Sequence, residues 1–240
     1  MRIKIIQKIL DKIRKKSTLY SKSEIEAGNY ISIAKKNIEN IKLNIVGKNN
    51  KINISEYDGD AKILVNVYGD NNQIKISEGF ILGEQLYLQI GQNHKNFGKC
   101  NNTKFNIGEN TSIESLKYVT YNCGAECNIG KDCMIAGNVT LFNTDAHPIF
   151  DKDTKQIINK VKSIFIGNHC WLGMNVTVLK NSTIPDGCVI GWGSVFSGNK
   201  ENRTNCVFAG NPARVVRENI DWSPNGSSCG YIENGFIEKE

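Results

Sequence analysis

The stretch "IGNHCWLGMNVTVLKNSTIPDGCVIGWGSVF", Ile166 to Phe196, decides the fold. Every sixth residue in it is bulky and apolar: Ile166, Leu172, Val178, Ile184, Ile190 and Phe196. Four places after each of the first five stands a small one: Cys170, Val176, Ser182, Cys188 and Ser194. Six steps of about 100° turn a helical side chain by some 240°, so this period scatters around a helix. An even period keeps side chains on one side of a strand. A short strand and a tight turn every six residues close a triangle after three repeats. Each coil then takes 18 residues, and coils stack as parallel strands about 4.8 Å apart. Cys170 and Cys188 lie one such coil apart and are expected in one interior column, a packing role that asks for no chemistry. The same grammar appears upstream in Ile107-Gly108 with Thr111, in Ile129-Gly130 with Cys133, and in Ile135 with Val139 and then Leu141.

The N-terminal third repeats differently. "NIVGKNNKINI" (44–54) and "NVYGDNNQIKI" (66–76) align without a gap at an offset of 22 residues, and Gly91 with Asn93 continues the spacing. Wider coils with glycine and asparagine corners account for this, and two hairpins are the alternative, since asparagine serves hairpin turns too. Wider coils are the preferred reading. Residues 23–100 are then an N-terminal β domain, and 101–210 carry the six-residue repeat. Residues 142–163, between Leu141 and Ile164, are polar and off the period, and are expected as a loop ejected from the coils. Residues 211–240 are expected as a short helix begun at Pro212 and a Gly/Ser-bearing tail.

The chain of 240 residues has a net charge of +6, but residues 1–22 hold eight Lys/Arg and one Asp, leaving the rest at −1. A nucleic-acid surface is therefore not indicated. Within "MRIKIIQKILDKIRKK", Ile6, Ile9, Leu10 and Ile13 share one face of a helix with basic residues opposite. Such a helix either rests on an anionic membrane surface or caps the end of the domain. No apolar run reaches the roughly 18 residues of a membrane span, and no signal-peptide pattern is present. Together with eight cysteines in no CxxC pair, this points to the cytoplasm, with the inner membrane face as a further possibility through residues 1–22. The three histidines are separated by 53 and 22 residues, which does not suit a zinc site, and no metal is expected.

Departures from a regular coil locate chemistry. The ejected segment contains "DAHPIFD" (145–151); "HCWLGMNVTVLK" (169–180) and "AGNPARVVR" (209–217) follow. In that order and spacing these pieces resemble the polysaccharide and sialic-acid O-acetyltransferases of the hexapeptide-repeat acyltransferases, over residues 123–217. The resemblance implies an all-β, left-handed parallel β-helix, a homotrimer with sites at its seams, and acetyl transfer from acetyl-CoA to a sugar hydroxyl of a bacterial surface polysaccharide or its precursor. It makes His147 the general base, a suitable one because imidazole titrates near pH 6.5. Asp145 or Asp151 would orient the ring. Trp171, next to the inward Cys170 and so facing outward, is implied to pack against the coenzyme's pantetheine arm. Gly173 would supply amide donors to the oxyanion. Gly173, Lys180, Gly191, Ser194 and Arg214 are the expected coenzyme contacts, with Arg214 near the adenosine phosphates; Lys200 and Arg217 lie in the same part of the chain. His169, His94 and Trp192 match no role. The alternatives are N-acetylation of an amino-sugar nucleotide on the same scaffold and a non-catalytic β-helical binding or structural protein.

Overall fold

A computed structural model describes residues 27–93, 98–198 and 202–224. The amphipathic segment 1–22, His94, Lys200 and the tail past residue 224 lie outside the described residues. Among the described residues no helix is long and apolar enough to cross a membrane. The chain winds as a three-sided prism of parallel strands. Its first face is a seven-stranded sheet: Tyr30–Ile33, Lys51–Ile54, Gln73–Ile76, Lys104–Ile107, Glu126–Ile129, Ile164–Ile166 and Ser182–Ile184. The second face includes Met134–Ile135, Trp171–Leu172, Val189–Ile190 and Val207–Gly210. The third includes Ile41–Val46, Lys62–Tyr68, Val139–Phe142, Thr177–Leu179 and Val195–Phe196. Strands Phe80–Ile90 and Ser112–Thr120 turn the corner between these two faces, so both belong to one sheet.

Register gives the coil lengths. Ile164 pairs with Ser182, Trp171 with Val189 and Thr177 with Val195, a step of 18. Ile41 pairs with Ile63, Lys51 with Gln73 and Lys104 with Glu126, a step of 22. The N-terminal repeat is thus built as coils, not hairpins, and the wide coils run on past residue 100. Their extra residues lengthen the third face, where Ile41–Val46 and Lys62–Tyr68 have six and seven residues against three in Thr177–Leu179. No break in the core marks the change, since buried apolar side chains run continuously from Ile41 to Ala213. All six bulky hexad residues and all five small ones are buried. Removing that apolar surface from water is the main drive to wind. Cys133, Cys170 and Cys188 rise through the interior one per coil, the Cys170 amide donating to Cys133 Sγ at 3.4 Å. Burial pushes the Cys188 thiol up, and that of Cys100 to about 12, so both remain protonated small hydrophobes.

The paired asparagines divide their work. Asn49 and Asn71 take φ of 57° and 60°, a conformation asparagine tolerates at a corner. Asn50 and Asn72 point inward and are buried. Asn72 Nδ2 donates to Asn50 Oδ1 at 3.0 Å, and Asn72 Oδ1 accepts from the Thr103 amide at 2.9 Å. Asn50 Nδ2 likewise donates to Asn29 Oδ1 at 3.0 Å. This ladder satisfies polar groups that the apolar core cannot.

The C-terminal segment departs from expectation. Ala213–Arg217 is a strand antiparallel to Val207–Gly210, not a helix begun at Pro212. The final coil would otherwise expose unpaired backbone groups along its edge, and the returning segment satisfies them. Gly210, at φ 99°, makes the reversal, and Val215 packs on the core while Arg214 faces out, a strand's alternation. The segment between Phe142 and Ile164 leaves the prism and pairs Phe150 with Ile157 near its tip.

Replacing Asn72 with Ala strands the buried Thr103 amide and should lower stability by about 1–3 kcal/mol. Replacing the exposed Asn44, which donates to Asn66 outside the prism, should change it by less than about 0.5 kcal/mol. Denaturant titration of the two variants checks this; equal losses would mean the inner ladder carries no special weight.

Candidate active site

The ejected loop starts from a rooted residue. Asn143 is buried, its amide donates to Val119 O at 2.9 Å, and its Nδ2 donates to Glu126 O at 3.1 Å. Thr144 is buried too, and its Oγ1 accepts from the Ala146 amide at 2.9 Å. Ala146 then takes φ of 62°, and the His147 amide donates to Asp145 O at 2.6 Å. This tight three-residue turn around an L-residue with positive φ is strained, by roughly 1–3 kcal/mol, and persists only where neighbours over-determine it. It presents His147 at the surface.

Those neighbours come from the far arm of the loop and from the next coil. Asn159 Nδ2 donates both to Asp145 Oδ2 and to His147 O, each at 2.8 Å, and its Oδ1 accepts from the Ile149 amide at 2.7 Å. Lys180, at the end of Thr177–Leu179, pairs with Asp145 Oδ2 at 2.6 Å. Its Nζ also donates to the carbonyls of Asn159 at 2.7 Å and Lys160 at 3.1 Å. An ammonium has three donors, and all three are engaged. Lys180, expected from sequence as a coenzyme contact, thus spends all three donors on the loop. Asp151 is committed as well. Its Oδ1 accepts from the Asp153 and Thr154 amides and from Thr154 Oγ1, which hold its carboxyl below the usual range. That oxygen closes its own turn. Asp145 is the acidic neighbour of His147, with one oxygen already bound by Lys180 and Asn159.

Trp171 stands on the outer side of the second face, about a third exposed at 36%. In its outward row lie Met134 and Val189. Met134 of that row also walls a mostly apolar groove of about 580 Å³ with Ile81, Ile113 and Met174, whose lining includes Glu84 and Glu114. Sequence reasoning missed its closest aromatic partner. Trp222 returns from beyond the last strand, stacks on His169 with ring centres 4.4 Å apart, and lies 6.0 Å from the Trp171 ring. Trp222 Nε1 donates to His169 O at 2.9 Å. No local pattern couples residues 51 apart in this way.

The other expected coenzyme contacts hold the coils together. The Gly173 amide donates to Ile190 O and that of Gly191 to Phe208 O, each at 2.8 Å, so neither is aimed at an oxyanion. A Cβ on Gly173 would come within 3.0 Å of Ile190 O and Trp192 N, so the glycine serves the close approach of neighbouring corners. Ser194 is fully buried, and its Oγ accepts from the Gly210 amide at 3.0 Å. Hydroxyl and amide are consumed where sequence alone shows only small residues. Arg214 is exposed on the closing strand, its guanidinium donating to Ala213 O at 2.9 Å. His147 and Trp171 are not brought together within the winding. His147 sits at the corner where the third face meets the first, and Trp171 opens the second face. The strand Ile164–Ile166 and the following corner separate them.

Comparison with known proteins places this geometry. No protein-family model matches the chain. The crystal structure of the polySia-specific acetyltransferase NeuO superposes with a TM-score of 0.64 at 31% identity, covering 82% of this chain and 86% of that one. The polysialic acid O-acetyltransferase OatWY superposes with a TM-score of 0.50 at 27% identity, covering 84% and 90%. In sequence, the chain is 36% identical over 141 residues to a polysialic acid O-acetyltransferase of Escherichia coli O1:K1 / APEC, covering 57% of this chain and 45% of that protein. It is 37% identical over 95 residues to one of Neisseria meningitidis, covering 40% and 44%. The matched part thus spans less than half the length of these two curated relatives. The chain belongs to the hexapeptide-repeat acyltransferases, and its prism is their left-handed parallel β-helix.

Proposed function

We propose that the protein is an O-acetyltransferase that moves the acetyl group of acetyl-CoA to a hydroxyl of a bacterial surface polysaccharide or its precursor. The observation that carries the reading is the strained turn that presents His147 at the root of the loop ejected between Phe142 and Ile164. Thr144 and Asn159 fix the turn on both sides of Ala146, as a loop that must aim an imidazole requires. Family membership and the likeness to polysialic acid acetyltransferases support the substrate class.

In this reaction the His147 imidazole takes the acceptor hydroxyl's proton as that oxygen attacks the thioester carbonyl. The tetrahedral adduct collapses with loss of the C–S bond, and the imidazolium returns the proton to the leaving thiolate. Trp171 and the mostly apolar groove that Met134 of its row walls suit the thin pantetheine arm, and exposed Arg214 suits the coenzyme's phosphates. His147 and Trp171 occupy opposite edges of the first face. A site that uses both is therefore formed between neighbouring chains of a homotrimer. Acetyl-CoA as donor puts the reaction in the cytoplasm, and the basic residues of segment 1–22 support contact with an anionic inner membrane face.

Four outcomes follow from this reading. His147→Ala should lose roughly 10²–10⁴ in turnover with acetyl-CoA binding nearly unchanged, as read by thiol-release kinetics and calorimetry. Trp171→Ala should weaken acetyl-CoA binding as well as slow transfer. Wild-type turnover should fall as pH is lowered through the range where imidazole gains its proton, because imidazolium has no lone pair to offer. Light scattering should give a trimer. An active monomer, or His147→Ala at near-normal turnover with the same pH profile, would overturn the reading. Polysialic acid is the first acceptor to assay, and preference for free amines over hydroxyls would point to N-acetylation instead.

A further inference from the structure

The side chains of Lys180 and Asn159 meet at the two residues flanking Ala146. We infer that Lys180 and Asn159 are positioning residues: they hold the turn that aims His147 and neutralise the carboxylate beside it. The inference rests on the reading of His147 as the base. Asn159 uses its whole amide here, with both hydrogens on Asp145 Oδ2 and His147 O and its oxygen on the Ile149 amide. It thereby ties the outgoing arm to the returning one on both sides of the positive-φ residue. Lys180 reaches the same point from the coil above. Its amide donates to Phe142 O at 3.1 Å, so the register that stacks the coils also sets its ammonium under the loop. Its side chain is only 14% exposed, and its three donors are all placed within the clamp. The fixed position of the ammonium is therefore given by the scaffold, and the loop closes onto it.

The electrostatics follow from the same contacts. The charged groups near this root are Asp145 on the outgoing arm, Lys160 and Lys162 on the returning arm and Lys180 on the next coil, with Asp151 in the tip turn. Lys180 is the one paired with Asp145. Lys180 acts on His147 through Asp145 and does not touch the reacting atoms.

Histidine-selective NMR on the full chain reads this without an acceptor, the His147 signal being assigned by its loss in His147→Ala. In Lys180→Met and in Asn159→Ala the His147 ring signals should shift and broaden, the mark of a ring no longer held in one place. Lys180→Arg, which keeps the charge and guards against a folding defect, should leave them unchanged. Turnover in Lys180→Met and in Asn159→Ala should fall about ten- to a hundredfold through misplacement of the base, with acetyl-CoA affinity unchanged by calorimetry. Unchanged His147 signals in folded Lys180→Met, or weaker acetyl-CoA binding in its place, would overturn the inference. Normal turnover in His147→Ala would overturn the proposed function and the positioning role together, and the NMR signals would then report the loop clamp alone.

Discussion

Each coil's backbone amides bond to carbonyls one coil away, and the whole molecule depends on that ladder keeping register. Because pairing is parallel, a side chain stands directly over its partner one coil before, whether the coil takes 18, 22 or, with the ejected loop, 37 residues. A small interior residue is thus placed above another small one, as with the cysteines at 133, 170 and 188, and an inward asparagine above another asparagine. Stacking like on like lets an amide ladder replace apolar filling without leaving a buried polar group alone. The same ladder survives the change from 22 to 18 residues per coil, because the difference is absorbed in the length of the third face.

A scaffold that repeats so closely offers few concave places, and the proposed chemistry accordingly sits on the irregular segments. The ejected loop is irregular but not loose. Its first residues are buried, its tip is closed by Asp151, and its two arms are tied by Asn159. Lys180 comes from the regular part, so scaffold precision is handed to a loop through one ammonium. The opposite edge is treated similarly: Trp222 folds back onto His169 and stands beside Trp171.

The hexads were legible because the interior tolerates only one residue size at each level, and that constraint returns every six residues. The wide coils were half legible. An offset of 22 between the asparagine pairs marks a repeat, but asparagine at positive φ serves coil corners and hairpins alike, and only the parallel register separates them. Pro212 misled because helix-start propensity is local, whereas the open edge of the last coil is not. Lys180, Gly173, Gly191 and Ser194 were marked for the coenzyme on their position and residue type. Sequence does not reveal which donors a coil has already claimed. Asn159 carried no signal, since its three partners lie on the opposite arm of the loop, 10 to 14 residues away, and meet it only after folding.

The separation of His147 from Trp171 by the width of the first face ties these points together. If regular coils hold the two groups apart, a working site needs two chains, and inactive chains of different kinds should complement one another. The most direct measurement mixes His147→Ala and Trp171→Ala chains, each inactive alone, through dissociation and reassembly. Seams that pair an intact His147 with an intact Trp171 should then restore about a quarter of wild-type turnover, the share expected from random assembly of equal amounts. Co-assembled chains that remain inactive would contradict the account and place the whole site within one chain.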